Sequence, residues 1–249
     1  MSDLVKALQK RGFFIVEEDD YFTLGKGSHP KDLMDLKQML DRLNISVTFQ
    51  GEKVIMTGEL DDRKIHEIIW YPARNHEAGG DGGWRSWKYF INGMYGPKVR
   101  TITLETGVAL FIKSLSAAGV RTISSCDGHG KKSPYISFFG LYNACWFMVL
   151  YKNLLSDLDL NYNWRIEDKG FSDPHIIANS NTGKWDLRLV VEDTQRMASV
   201  LLQNSKRISE LKRELFGANR KSTRKVVKEM SVEELIVWME QRYMEKGFH

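Results

Sequence analysis

Apolar and polar positions follow two spacings along this chain, and the changes between them mark its elements. Leu4, Val5 and Leu8 recur at helical spacing, with Gly12 placed to end that helix. Residues 13–16 and 21–24 read as strands around the acidic corner 17–20. Ser28 and Pro30 open a second helix whose Leu33, Leu36, Met39, Leu40 and Leu43 share one face. Residues 47–49 and 54–57 form a hairpin through Gln50 and Gly51. Residues 1–71 thus make a small β-α-β-β unit, slightly acidic, whose residue types point to scaffold.

Residues 72–98 break the periodicity. Pro72 is followed by Arg74, His76, four glycines between 79 and 83, and then Trp84, Arg85, Trp87, Lys88, Tyr89, Phe90 and Tyr95. Cations among aromatics suit stacking on bases and neutralising phosphate, so Arg74, Trp84, Arg85 and Trp87 are candidates for the wall of a ligand site.

Regular patterning resumes at residue 99. Residues 99–103 alternate as a strand, and a helix through Val108, Phe111, Ile112 and Leu115 stops at Gly119. Residues 120–124 form a strand that delivers a glycine-flanked turn, and 135–138 return from it. Residues 141–155 are apolar nearly all round, the pattern of a buried helix. Residues 164–166, 176–178 and 187–191 supply further strands. Asp193 or Thr194 caps a long helix over 195–216, and Ser231 with Glu234 forms a capping box for the last one. The fold class is α+β, a mixed or antiparallel sheet with packed helices. Its segments are the N-terminal unit 1–71, the Gly- and aromatic-rich connection 72–98, the core domain 99–216, and a basic linker with C-terminal helix over 217–249.

At 249 residues and 42% apolar composition the chain can bury a substantial core, and its net charge of +4 implies no global field for polyanions. Two cysteines make no disulfide framework, the N-terminus lacks the features of a signal peptide, and the longest apolar run is too short to span a bilayer. The expectation is a soluble, cytoplasmic protein without a membrane partner.

Chemistry concentrates in residues 121–133, RTISSCDGHGKKS. Cys126 and His129, three apart in a turn, aim thiol and imidazole at one point, and Asp127 can orient the imidazole. This set fits catalysis by Cys126, Asp127 and His129, with nearby lysines depressing the thiol pKa. It equally fits half of a zinc site, Cys126 with His129, completed by a distant His76, His175, Asp127 or Cys145. A third reading is an anion or nucleotide pocket in which Ser124, Ser125, Gly128 and Gly130 offer donors beside Lys131 and Lys132. Cys145 lies within the apolar helix and reads as a core thiol.

Residues 105–138, an acid-led helix followed by Thr122-Ile123-Ser124-Ser125-Cys126-Asp127-Gly128-His129 and a strand, resemble the core motif of the wybutosine-synthesis tRNA methyltransferase family. Ser124, Ser125, Cys126 and Gly128 match that family's Thr-Ser-Ser-Cys-Ser-Gly-Arg motif by position. Asp127 stands where the family has Ser, and His129 where it has Arg. The resemblance implies S-adenosylmethionine as cofactor and an RNA-modifying transferase activity.

Residues 206–228 carry nine Lys/Arg against two Asp/Glu. Lys206, Arg207, Lys212 and Arg213, with Arg220, Lys221, Arg224, Lys225 and Lys228, are candidates to meet a nucleic-acid backbone. Met197, Leu201, Asn204, Ile208, Leu211 and Leu215 form a stripe through which the 195–216 helix could pair in a homodimer. The leading expectation is a nucleotide- or RNA-directed protein with its site at residues 125–130. The competing ones are a non-catalytic module that holds a ligand or partner, and a Cys/His metal-dependent hydrolase.

Overall fold

The computed structural model describes residues 2–25, 27–73, 87–92, 98–167, 175–217 and 220–246. Its first unit opens with helix α1 (Asp3–Arg11), where Ser2 accepts a hydrogen bond from Val5 N–H and Gly12 closes the helix at φ +109°. Strands β1 (Ile15–Glu17) and β2 (Phe22–Leu24), helix α2 (Asp32–Arg42), strands β3 (Val47–Gln50) and β4 (Lys53–Met56), and helix α3 (Asp62–Ile69) follow. The four strands form an antiparallel sheet in the order β1-β2-β4-β3. Leu4, Leu8, Phe13, Leu36, Leu40, Val54 and Ile68 make its separate core. Helix α3 has no counterpart in the sequence reading; Asp61 caps it by accepting from Lys64 N–H.

The second unit is organised around helix α5 (Thr106–Ala117), all of whose residues are buried. An apolar face all round requires partners on every side, and α5 packs on α1, on strand β5 (Thr122–Cys126) and along helix α7 (Leu187–Gly217). The short helix α4 (Trp87–Asn92) precedes it, and strand β6 (Tyr135–Phe138) follows β5. Helix α6 (Leu141–Leu150) comes next and runs into a π-turn at Tyr151–Leu155. Strands β7 (Asn163–Glu167) and β8 (His175–Asn179) complete an antiparallel sheet in the order β5-β6-β8-β7, which leaves β5 at an edge. Helices α8 (Arg220–Val227) and α9 (Val232–Glu245) end the chain, α9 starting in the expected capping box and packing on α6. The architecture is therefore α+β with antiparallel sheets.

A buried ionic clasp joins the two units. Asp32, at the first turn of α2, accepts from Lys113 Nζ at 2.7 Å, from Thr101 N–H at 2.9 Å and from Thr101 Oγ1 at 3.0 Å. Lys113 also donates to Val99 O, and Arg100 grips Asp35 through two hydrogen bonds of 2.8 and 2.5 Å. Burial pushes the Lys113 ammonium down, and the adjoining Asp32 carboxylate offsets this.

Several sequence expectations are corrected. Residues 99–103 are no strand, because side chains claim their backbone groups; Thr101–Thr103 is a 3-10 turn. Residues 187–191 begin α7, since Val190, Val191, Thr194 and Met197 recur at helical spacing against the core. Asp193 consequently caps nothing. It lies buried and accepts from Asn161 N–H, Tyr162 N–H and Trp164 Nε1, anchoring the start of β7. The 195–216 stripe is consumed within the chain: Met197, Leu201, Ile208, Leu211 and Leu215 are buried, which removes it as a dimer seam. The expected C-terminal helix is present as α9, while the expected linker is itself helical over Arg220–Val227; Val227, Leu235, Met239 and Tyr243 belong to the same core.

Lys212 leaves the basic surface altogether. It is buried, donates to Gly119 O and lies over the Phe90 ring at 4.4 Å. Burial, assisted by the Arg121 charge, pushes its ammonium down to about 7. The unfolded chain holds that proton up to about pH 10.4, so the cost of burying the charge is fully present below about pH 7. That cost is relieved as pH rises from there towards the unfolded value. Thermal unfolding is expected to show a larger rise in stability from pH 7 to 10 in the native chain than in Lys212→Met; parallel pH profiles would refute the assignment.

Candidate functional site

The site begins where β5 loses its regular pairing. Thr122 pairs with Phe138 and Ser125 with Ile136, so the register slips between them, as at a β-bulge. Cys126 closes the strand against Tyr135 with its side chain turned inward. Gly128, His129 and Gly130 then adopt φ of +78°, +53° and +66°, three left-handed residues in succession. A side chain at Gly128 would be crowded as well as strained, since a Cβ there would stand 3.1 Å from Pro134 N. Holding His129 in this conformation costs about 1 kcal/mol, a strain that proteins concentrate at working sites.

That backbone gathers four donors. Ligand atoms of Glu105, Cys126, Asp127 and His129 all lie within 4.8 Å of one another. Cys126 Sγ is 3.6 Å from His129 Nε2, and Glu105 Oε1 is 3.3 Å from the same nitrogen. Each of these three groups is also held from behind. The second oxygen of Glu105 accepts from Asp127 N–H at 2.7 Å, and Cys126 Sγ accepts from Gly128 N–H at 3.4 Å. His129 Nδ1 stands 3.5 Å from Asp127 Oδ1. Asp127 in turn accepts from His129 N–H at 3.0 Å and from Gly107 N–H, at the start of α5, at 3.2 Å.

Gly107 fits because a Cβ at that position would meet the Asp127 Cβ at 2.5 Å. Thr194 Oγ1 donates to Gly107 O at 2.8 Å, which ties α7 to the same point. The Asp127 carboxylate therefore meets the positive end of α5 as well as the imidazole. The His129 side chain is 57% exposed and that of Glu105 28%, so the cluster opens to solvent on their side while Cys126 and Asp127 form its floor. Burial pushes the Cys126 thiol up; the Gly128 N–H and Lys132 oppose this, while the Glu105 and Asp127 charges add to it.

Other expected site residues lie elsewhere. Ser124 is exposed and Ser125 half-buried in its strand pair with Ile136, and neither joins the cluster. Lys131 and Lys132 are exposed on the next turn. Trp87 is corrected from ligand wall to core: it is 3% exposed and packs against Phe90, Tyr142 and Phe216. Arg74, His76, Trp84 and Arg85 lie outside the described residues. Cys145 is buried in α6, and His175 stands near Glu167 and the Tyr135 ring; neither is among the four donors. Glu105 was missed by the sequence reading. Its available signal was an acid at the N-cap of α5, where Ser, Thr, Asp or Asn is usual, and its carboxylate makes no cap bond to its own helix. No protein-family model matches the chain, and neither does any curated protein or solved structure.

Proposed function

We propose that the 105–129 cluster is a divalent metal centre of the water-activating kind, and that the protein is a metal-dependent hydrolase. One observation carries the reading: Glu105 Oε1, Cys126 Sγ and His129 Nε2 converge, and each is oriented by a hydrogen-bonding or electrostatic partner behind it. Three protein ligands with an open side are the pattern of catalytic zinc sites, whereas structural sites close with four. Asp127 then acts as the positioning carboxylate that directs Nδ1–H to itself and leaves Nε2 free to ligate. The mixture of thiolate, imidazole and carboxylate suits Zn2+ better than Mg2+ or Ca2+.

A bound dication would supply Lewis acidity to water in the open position. Lys131 and Lys132 offer a positive rim for the phosphate of a nucleotide or RNA. Free thiols at both cysteines accord with a cytoplasmic setting. Thiol catalysis is the weaker reading, because it needs a depressed thiol pKa and burial with two neighbouring carboxylates pushes Cys126 the other way. The methyltransferase reading is weakened by the two positions that depart from that family's motif, Asp127 and His129, since both belong to the donor cluster.

The purified full chain titrated with Zn2+ is expected to bind one equivalent, and Co2+ is expected to give a thiolate-to-cobalt charge-transfer band. Binding must expel the thiol proton, and the raised thiol pKa makes affinity fall as pH falls. Absence of both stoichiometric binding and that band at pH 8 would reject the centre.

A further inference from the structure

The basic segment carries a separate inference that does not rest on the metal centre. Helix α8 exposes Lys221, Arg224 and Lys225, and Lys228 continues its last turn through a bond from Lys228 N–H to Arg224 O. These positions are spaced i, i+3, i+4 and i+7, which places four cations in one stripe. Residues 215–228 contain no Asp or Glu, and none of the four cations makes an ion pair among the described residues.

The stripe works against its own helix. Lys221 faces Lys225, and Arg224 faces Lys228, at the i, i+4 separation where like charges repel. Lys221 also sits in the first turn, the positive end of the helix dipole. A solvated surface helix ordinarily intersperses acids to avoid this; here Arg224 and Lys225 gain only from their place in the last turn, and the nearest acid in sequence, Glu229, lies past the end of the helix. The opposite face is already used, for Val227 is buried and Met230 packs on the core, so Val226 is the one large apolar side chain that α8 exposes. A membrane-surface helix needs a broad apolar face to insert, and α8 has none to spare. From Lys221 to Lys228 the helical path rises about 10 Å, the rise of roughly three stacked nucleotides.

We propose that Lys221, Arg224, Lys225 and Lys228 form a docking stripe for the phosphate backbone of a nucleic acid. The contact is electrostatic and independent of base sequence. With four phosphate contacts to a single strand, affinity is expected to fall about 50-fold between 50 and 200 mM salt. The informative variant is Arg224→Glu with Lys225→Glu. It destroys the stripe, yet each new carboxylate stands four residues from a cation that remains, Lys228 for the first and Lys221 for the second. Those spacings favour opposite charges, which offsets the cost of placing acids in the last turn of the helix and four residues before Glu229.

The test is fluorescence anisotropy of the full chain with a labelled single-stranded oligoribonucleotide, with phosphatidylserine vesicles as a parallel arm. The expected result is binding at low salt, weakened at least about tenfold in the double variant, with a shallower salt dependence and an unchanged melting temperature. Should the double variant fail to fold, Lys225→Gln is expected to weaken binding and reduce the salt slope by about 0.7. Native and variant chains binding equally, a salt-independent affinity, or tighter binding to the vesicles than to the oligonucleotide would overturn the proposal.

Discussion

Alanine in place of Asp32 is expected to lower the melting temperature of the protein by about 10 °C. The substitution leaves the Lys113 ammonium buried with Val99 O as its remaining acceptor. It also strips Thr101 N–H and Oγ1 of their common partner. Removing one member of a buried pair costs about 3–5 kcal/mol, and a chain of this length loses about 2–4 °C per kcal/mol. The double variant Asp32→Ala/Lys113→Met removes the stranded charge as well and should recover most of the loss, because a buried pair contributes less than its breakage suggests. Calorimetry on the three proteins decides the matter. A shift below about 2 °C for the single variant would mean that water or a rearranged side chain already satisfies Lys113.

The second large effect belongs to the turn. Cys126→Ala and His129→Ala are each expected to weaken zinc binding by at least about 100-fold, and Asp127→Asn by about 10- to 100-fold through loss of orientation alone. His129→Gly separates site from scaffold most sharply. Glycine takes φ +53° freely, so the metal-free protein should be as stable as the native one or up to about 1 kcal/mol more so. At a thousandfold excess over its dissociation constant, zinc should stabilise the native chain by about 4 kcal/mol and His129→Gly scarcely at all. Equal zinc-induced shifts in the two proteins would exclude His129 as a ligand, whatever the stoichiometry.

Much of the local structure was legible beforehand, since it is decided by neighbours in the chain. Gly12 ends α1, Ser231 and Glu234 box the start of α9, and the largely apolar α6 is mostly buried. Such features depend on backbone groups a turn or less away. The Cys126–His129 turn was legible for the same reason: two glycines flanking a histidine permit one compact, left-handed path.

What escaped the sequence shares a different cause. Lys212 reads as one more cation in a basic run, and only its position on α7 against Phe90 and Gly119 shows that it is buried. Trp87 reads as a stacking platform, yet the rings of Phe90, Tyr142 and Phe216 claim it for the core. Residues 187–191 are β-branched enough for a strand, and contact along α5 makes them helix instead.

By itself, then, the sequence determined the α+β class, the glycine-bounded corner, and the pairing of thiol with imidazole three residues on. Tertiary structure alone decided which third group joins them. Glu105 comes from 22 residues before Asp127, carried there because α5 packs on β5 and lays its N-terminus against the turn. Spacing along the chain specifies contacts within a turn of helix or a tight corner. Convergence across that many residues depends on how a buried helix is held between α1, α7 and a sheet, a property of the whole core.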